Sequence, residues 1–133
     1  MDTSKSGIYV DGYELRRILK KAQFSMTKAD RIIYGTPVLQ ECGEFLKNFV
    51  MAYDFKDEKL KYIRKMCASF EVLKLDLRII LQDNIIRSPG PHSSEMSPKE
   101  FKIKILEYIA RIEKGVNKWK NSVIAEEKKN SNS

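Results

Sequence analysis

From Asp57 to Ile86 the chain runs without a glycine or proline, and its apolar residues recur at helical spacing. Turned at about 100° per residue, Leu60, Ile63, Met66, Cys67, Phe70, Leu73, Leu77, Ile80 and Leu81 share one broad arc, which is a core face. Ala68, Val72, Leu75, Ile79 and Ile86 form a second, narrower stripe on the other side. A surface helix carries one apolar stripe, and apolar area left in water forfeits about 25 cal/mol per Å². A helix apolar on two sides is expected to be covered on two sides. The pattern predicts the central helix of a bundle that self-associates, with Val72, Leu75 and Ile79 at the oligomer interface. Lys74 and Arg78 project four residues apart at the rim of the main arc. Their stems can lie along the apolar rim with the charged heads in water, or the pair can be aimed at a groove or pore between subunits.

The remaining elements follow from the same periodicity. From about Val10 to Gln23, Tyr13, Leu15, Ile18, Leu19 and Ala22 predict a short helix with Asp11 as N-cap and Arg16, Arg17, Lys20 and Lys21 clustered on its outer side. A second helix is expected to start at Thr27, where Thr-Lys-Ala-Asp is a variant capping box with Asp30 in place of Glu. Val38, Leu39, Cys42, Phe45, Leu46, Phe49 and Tyr53 share its apolar face, while Glu41, Glu44 and Lys47 take the other. Gly35 and Pro37 predict a kink or break near Thr36, because proline lacks a donor and its ring strikes the preceding turn. After Ile86, Arg-Ser-Pro-Gly-Pro-His-Ser-Ser-Glu-Met-Ser-Pro reads as a loop. Ser97-Pro98-Lys99-Glu100 then places a serine N-cap, a first-turn proline and a capping-box glutamate ahead of a last helix. Its stripe is Phe101, Ile105, Ile109, Ile112, Val116, Trp119 and Val123, with fraying expected from Ala125. Nothing alternates with period two. The expected fold is all-α, an antiparallel up-and-down four-helix bundle and a homo-oligomer. A lead of residues 1–9 is expected to be disordered, with the bundle over 10–125 and a polar tail over 126–133.

Composition sharpens this picture at one point, charge. The chain of 133 residues carries a formal net charge of +7, with pI near 9.4, and the excess lies towards its two ends. Such a balance favours polyanionic partners. The candidate nucleic-acid contacts are Arg16, Arg17, Lys20, Lys21, Lys74 and Arg78, acting through phosphates with an affinity that falls steeply with salt. Phe24, Tyr34, Phe45, Phe49, Tyr53, Phe70 and Trp119 sit at helical spacing and are expected in the core, with no base-stacking platform among them. Catalytic patterns are missing: no Gly-rich phosphate loop, no HExxH, no GxSxG, and one histidine, His92, without an orienting partner. The chain is therefore expected to be non-enzymatic, without metal or cofactor. Cys42 and Cys67 occupy apolar positions of different helices with no CxxC, as free thiols of a reducing cytoplasm do. Met1 to Gly7 is polar and not followed by an apolar run, and no window is apolar enough to span a membrane.

Two segments resemble the Avd-like family, the accessory variability determinants of diversity-generating retroelements and the similar small bundles encoded in ribosomal-RNA intervening sequences. Ala29-Asp30-Arg31-Ile32-Ile33-Tyr34-Gly35 is similar to the basic-apolar-Gly opening of that family's second helix, and Ala52-Tyr53 to its small-aromatic ending. Phe70-Glu71-Val72-Leu73-Lys74-Leu75-Asp76-Leu77-Arg78-Ile79-Ile80 resembles an L-E-x-L-R-x-x-x-R-L pattern in the third, placing Glu71, Lys74 and Arg78 at its charged positions. In the last helix the compact E-I-G-R-x-L-G-x-W of the family is spread over Glu107 to Arg111, Gly115 and Trp119. The resemblance implies a non-enzymatic homo-oligomer, a pentamer in the family, with a basic surface that binds a reverse transcriptase and its template RNA. The competing expectation is a protein–protein adaptor bundle with no nucleic-acid role, its charge serving solubility.

Overall fold

The computed structural model describes residues 7–87 and 96–131. Among these the protein is all-α, with four long helices and no strand. Helix α1 is Gly7–Ala22, and a 3₁₀ turn, Gln23–Ser25, follows it. Helix α2 spans 28–54 as three continuous pieces, Lys28–Asp30, a π-turn over Arg31–Gly35, and Thr36–Asp54. After a 3₁₀ turn, Lys56–Glu58, come α3 (Lys59–Gln82) and α4 (Pro98–Ser131). Helix α1 packs against α2 and α4, and α3 packs against the same two. One core is shared by all four: Leu15 and Leu19 from α1, Phe45 and Phe49 from α2, Ile63, Met66 and Leu73 from α3, and Phe101, Ile105 and Ile112 from α4 are all buried. Aromatic contacts tie the helices laterally, Phe45 to Phe70 at 5.4 Å and Phe49 to Trp119 at 5.2 Å between ring centres.

Helix α1 starts at Gly7, three residues before the expected Val10, so residues 7–9 are helical; residues 1–6 lie outside the described residues. Asp11 is consequently not an N-cap. It sits inside the helix, mostly buried, and its carboxylate pairs with Arg111 of α4 at 3.6 Å. Two glycines let α1 approach its neighbours closely. A Cβ on Gly12 would stand 2.8 Å from Leu46, and one on Gly115 of α4 would stand 2.9 Å from Ile8.

Of the kink or break expected near Thr36, the break does not occur. The Thr36 N–H donates to the Arg31 carbonyl five residues back, so the helix widens just before Pro37. In regular α geometry the proline ring would strike the carbonyl four residues earlier, and the wider turn relieves that clash without ending the helix. Gln23 Nε2 donates to the Gly35 carbonyl at 3.1 Å, satisfying an acceptor in the widened turn. The Thr27 cap forms as expected, its Oγ1 accepting from the Asp30 N–H at 3.1 Å. The Asp30 carboxylate instead lies 4.0 Å from Arg87.

Helix α3 stops at Gln82 rather than continuing to Ile86. Asn84 adopts a left-handed conformation, φ 53°, and the Ile85 N–H donates to the Ile80 carbonyl at 3.0 Å. This is the six-to-one bond of a Schellman stop, with its apolar contact supplied by buried Ile80 and Ile85. Ile86 therefore leaves the outer stripe and joins the core, while the Arg87 N–H donates to the Ser25 carbonyl at 2.9 Å. Helix α4 opens on Ser97, whose Oγ accepts from the Glu100 N–H and donates to the Glu100 carboxylate. It runs on to Ser131, past the fraying expected from Ala125. Phe24, expected in the core, is exposed.

Candidate nucleic-acid interface

Arg16, Arg17 and Lys20 of α1 lie along a groove of about 580 Å³ between α1 and α2. Tyr9, Tyr13, Arg16, Arg17 and Lys20 line it from α1, and Lys47 faces them from α2. These α1 positions recur at intervals of three and four, which a helix places on one side. The floor is aliphatic, made of Leu39, Leu46 and Val50 with Gly43. No carboxylate is among the residues lining the groove, although Glu14 pairs with Arg17 at 3.4 Å from the exposed side. Gly43 lets the Arg16 guanidinium lie close over α2: a Cβ there would be 3.2 Å from Nη2. Arg16 also borders a neighbouring hollow whose lining includes Glu41, Glu44 and Asp76. Beneath the groove Cys42 is buried, its Sγ 3.7 Å from the Gly12 carbonyl. Burial pushes this thiol up to about 12, against a smaller downward pull from Arg16, so it stays protonated and inert. Cys67, half-buried, is likewise a free thiol raised by desolvation, with Lys120 opposing.

Two further rings, Tyr9 and Tyr13, which were not among the aromatic residues weighed from the sequence, also line this groove. Tyr9 and Tyr13 lie nearly parallel, 13° between planes and 6.4 Å between centres, and Tyr13 is 49% exposed. Tyr9 is backed by Phe49 at 6.2 Å. Lys47 was also missed, because α2 positions opposite the core read as plain solvent face. Tyr13, grouped from the sequence with the apolar residues of α1, stands exposed in a run with Arg16, Arg17 and Lys20 at three- and four-residue spacing; Lys47 could be placed only by the packing of α2 on α1.

The six expected contact residues do not form one surface. Lys21 is exposed at the last turn of α1, outside the groove lining. Lys74 and Arg78 line a separate groove of about 470 Å³ between α3 and α4, together with Lys102 and Glu113. Lys74 is moreover engaged within the chain. Its Nζ lies 2.8 Å from Glu71 and 2.8 Å from Glu113, and 5.0 Å from the Phe70 ring centre. Desolvation lowers its affinity for the proton, but hydrogen bonds and charge attraction from Glu113 and Glu71 outweigh this and hold it above the ordinary lysine value. Lys74 thus joins α3 to α4 as an ion-pair residue, and its charge is neutralised in place.

The outer stripe of α3 remains uncovered. Val72, Leu75 and Ile79 are 45%, 57% and 40% exposed, on the side of the helix opposite Ile63, Met66, Phe70 and Leu73. Among the described residues there is no group of histidines, cysteines and carboxylates able to hold a metal ion, and no helix long and apolar enough to cross a membrane. His92 lies outside the described residues. Comparison with known proteins gave no matching family model, no matching curated protein and no matching solved structure.

Proposed function

We propose that the protein is a non-enzymatic, basic, antiparallel up-and-down four-helix bundle that self-associates through α3 and binds nucleic acid. The observation that carries this is the α1–α2 groove, where Arg16, Arg17, Lys20 and Lys47 converge without a lining carboxylate on a chain of net charge +7. Phosphate oxygens satisfy such cations, and each neutralised phosphate releases condensed counterions. Lys21 extends the same basic side of α1, and Arg78 with Lys102 offers a second, smaller field at the α3–α4 groove. The uncovered stripe Val72, Leu75 and Ile79 supports association between copies, which would repeat the basic groove on every subunit and strengthen the local field. The segments at Ala29–Gly35 and Phe70–Ile80 support a role like that of the accessory protein that partners the reverse transcriptase of a diversity-generating retroelement, with a pentamer as the family's assembly. Two unpaired thiols suit the reducing cytoplasm.

The test is a titration of the full chain against labelled RNA and DNA across a range of salt. Binding should weaken steeply as salt rises. R16Q, R17Q and K20Q should each flatten the dependence of log affinity on log salt by roughly 0.7–0.9. No binding to either polymer at low salt would refute the proposal. A second reading, a protein–protein adaptor with no nucleic-acid role, is favoured by the aliphatic floors of both grooves; binding to neither polymer would leave that reading standing.

A further inference from the structure

The α1–α2 groove holds more than charge. A duplex presents a rail of phosphates with its bases stacked inside, and contacting it requires cations alone. The groove adds an aromatic pair and an aliphatic floor, Leu39, Leu46 and Val50, which a duplex backbone does not use. Tyr13 is half exposed at the groove, its plane within 13° of the neighbouring Tyr9 ring. A flat, half-exposed ring beside a line of cations is the combination by which single strands are held: bases stack on the aromatic face and the backbone follows the positive charge. The axial spacing is compatible. With a rise of about 1.5 Å per residue, Arg16 and Arg17 stand about 5–6 Å along the helix from Tyr13, and Lys20 about 10 Å.

We infer that the α1–α2 groove takes a single-stranded rather than a duplex nucleic acid, with an unpaired base stacked on Tyr13 and the adjoining phosphates held by Arg16, Arg17, Lys20 and Lys47. This rests on the proposal that the protein binds nucleic acid and adds the form of strand and the residue that selects it. Tyr9, backed by Phe49, holds the Tyr13 ring in its plane; the aliphatic floor receives the edge of a neighbouring base or sugar. An acidic amphipathic peptide could satisfy the same cations and floor but has no need of a nearly parallel ring pair, which is why the single strand is favoured.

The experiment measures fluorescence anisotropy of the full chain with a labelled oligouridylate of about 16 nucleotides, within the site sizes known for single-strand binders. A duplex of the same length, at the same low salt, is the comparison. The single strand should bind more tightly. Y13A should weaken its binding by about five- to a hundredfold, the range expected for losing one stacked base, and leave the duplex unaffected. Y13F, which restores the ring without the hydroxyl, should restore single-strand binding. Light scattering and thermal melting confirm that Y13A keeps the parent's assembly and fold; if it does not, Y13S and Y13L take its place in the same comparison. Equal binding of single strand and duplex, both indifferent to Y13A, overturns the inference while the nucleic-acid function stands. Failure of both to bind at low salt removes that function and the inference with it. Single-strand binding that ignores Y13A and is displaced by an acidic amphipathic peptide also overturns it, in favour of a helix-docking groove.

Discussion

Replacing Leu75 and Ile79 together by lysine should dissociate the assembly and leave the subunit folded. Fully burying a valine, leucine or isoleucine contributes about 1.5–3 kcal/mol. Val72, Leu75 and Ile79 are 45%, 57% and 40% exposed, so about half of that gain is still to be made, roughly 1 kcal/mol each. Over the stripe this amounts to about 3 kcal/mol per subunit, and about 6 kcal/mol where two stripes meet. L75K/I79K removes two of the three residues on each face, about 4 kcal/mol across a symmetric contact, which weakens association about a thousandfold. The part of each side chain already covered lies along the subunit's own surface, where a lysine stem can take its place, so each substitution should change its stability by only about 0.5 kcal/mol. Multi-angle light scattering at micromolar concentration reads the first effect, and far-UV circular dichroism with thermal melting reads the second. A parent protein that is already monomeric at that concentration refutes the premise. A double variant that loses its cooperative melt places the stripe in the intrachain core instead. The substitutions also add two positive charges per subunit, so a fall in polyanion binding by the dissociated variant would come from lost multivalency and not from lost charge.

K74Q should destabilise the fold by about 1 kcal/mol, since it breaks two partly exposed ion pairs, one within α3 to Glu71 and one across to Glu113 of α4, while leaving nucleic-acid affinity at the α1–α2 groove unchanged; denaturant melts and the salt titration read the two effects. Because the folded state raises the Lys74 pKa, its contribution is fully present below the unfolded lysine value and is lost as pH rises through the higher folded value. The stability gap between parent and K74Q should therefore stay constant through neutral pH and close above about pH 10.5. At the end of α3, N84A should cost about 1 kcal/mol, because alanine resists the left-handed conformation at φ 53°, whereas N84G should be neutral or slightly stabilising; equal melting temperatures for the two would show that this conformation carries no cost. S97A should cost about 1 kcal/mol by orphaning the Glu100 N–H at the start of α4, and an unchanged melt would mean that the helix end does not depend on its cap.

The sequence made local features legible and left tertiary partnerships hidden, and the cases divide along that line. Thr27 and Ser97 cap their helices as expected because a cap is made between residues three apart. The two-sided character of α3 was legible for the same reason, since periodicity alone separates Ile63, Met66, Phe70 and Leu73 from Val72, Leu75 and Ile79. Ile86 was misplaced because periodicity was extended through a stop whose signal, an asparagine at position 84 followed by an apolar residue, was present but went unread. Pro37 shows a different limit of local reading. Proline inside a helix left a kink and a break both open, and the backbone keeps the helix continuous by a five-residue turn that steps around the ring.

The fate of the six candidate cations follows from the same division. Arg16, Arg17 and Lys20 face one groove because one helix carries them at three- and four-residue spacing, which sequence alone supplies. Lys74 met that test equally well at the rim of α3, and its charge is nevertheless taken up by Glu113, 39 residues away in sequence on α4. Lys47, facing the opposite way from the core of its own helix, completes the basic groove because α2 packs beside α1. Helical spacing decides which charges can act together, but the carboxylates of neighbouring helices decide which of them remain available to a ligand. In this chain Glu71 and Glu113 hold Lys74, whereas no carboxylate is in the lining of the α1–α2 groove, Glu14 meeting Arg17 from outside it. That leaves Arg16, Arg17, Lys20 and Lys47 grouped beside exposed Tyr13 in a lining without a carboxylate, and it is the physical reason to look for a polyanionic ligand there and not at the central helix.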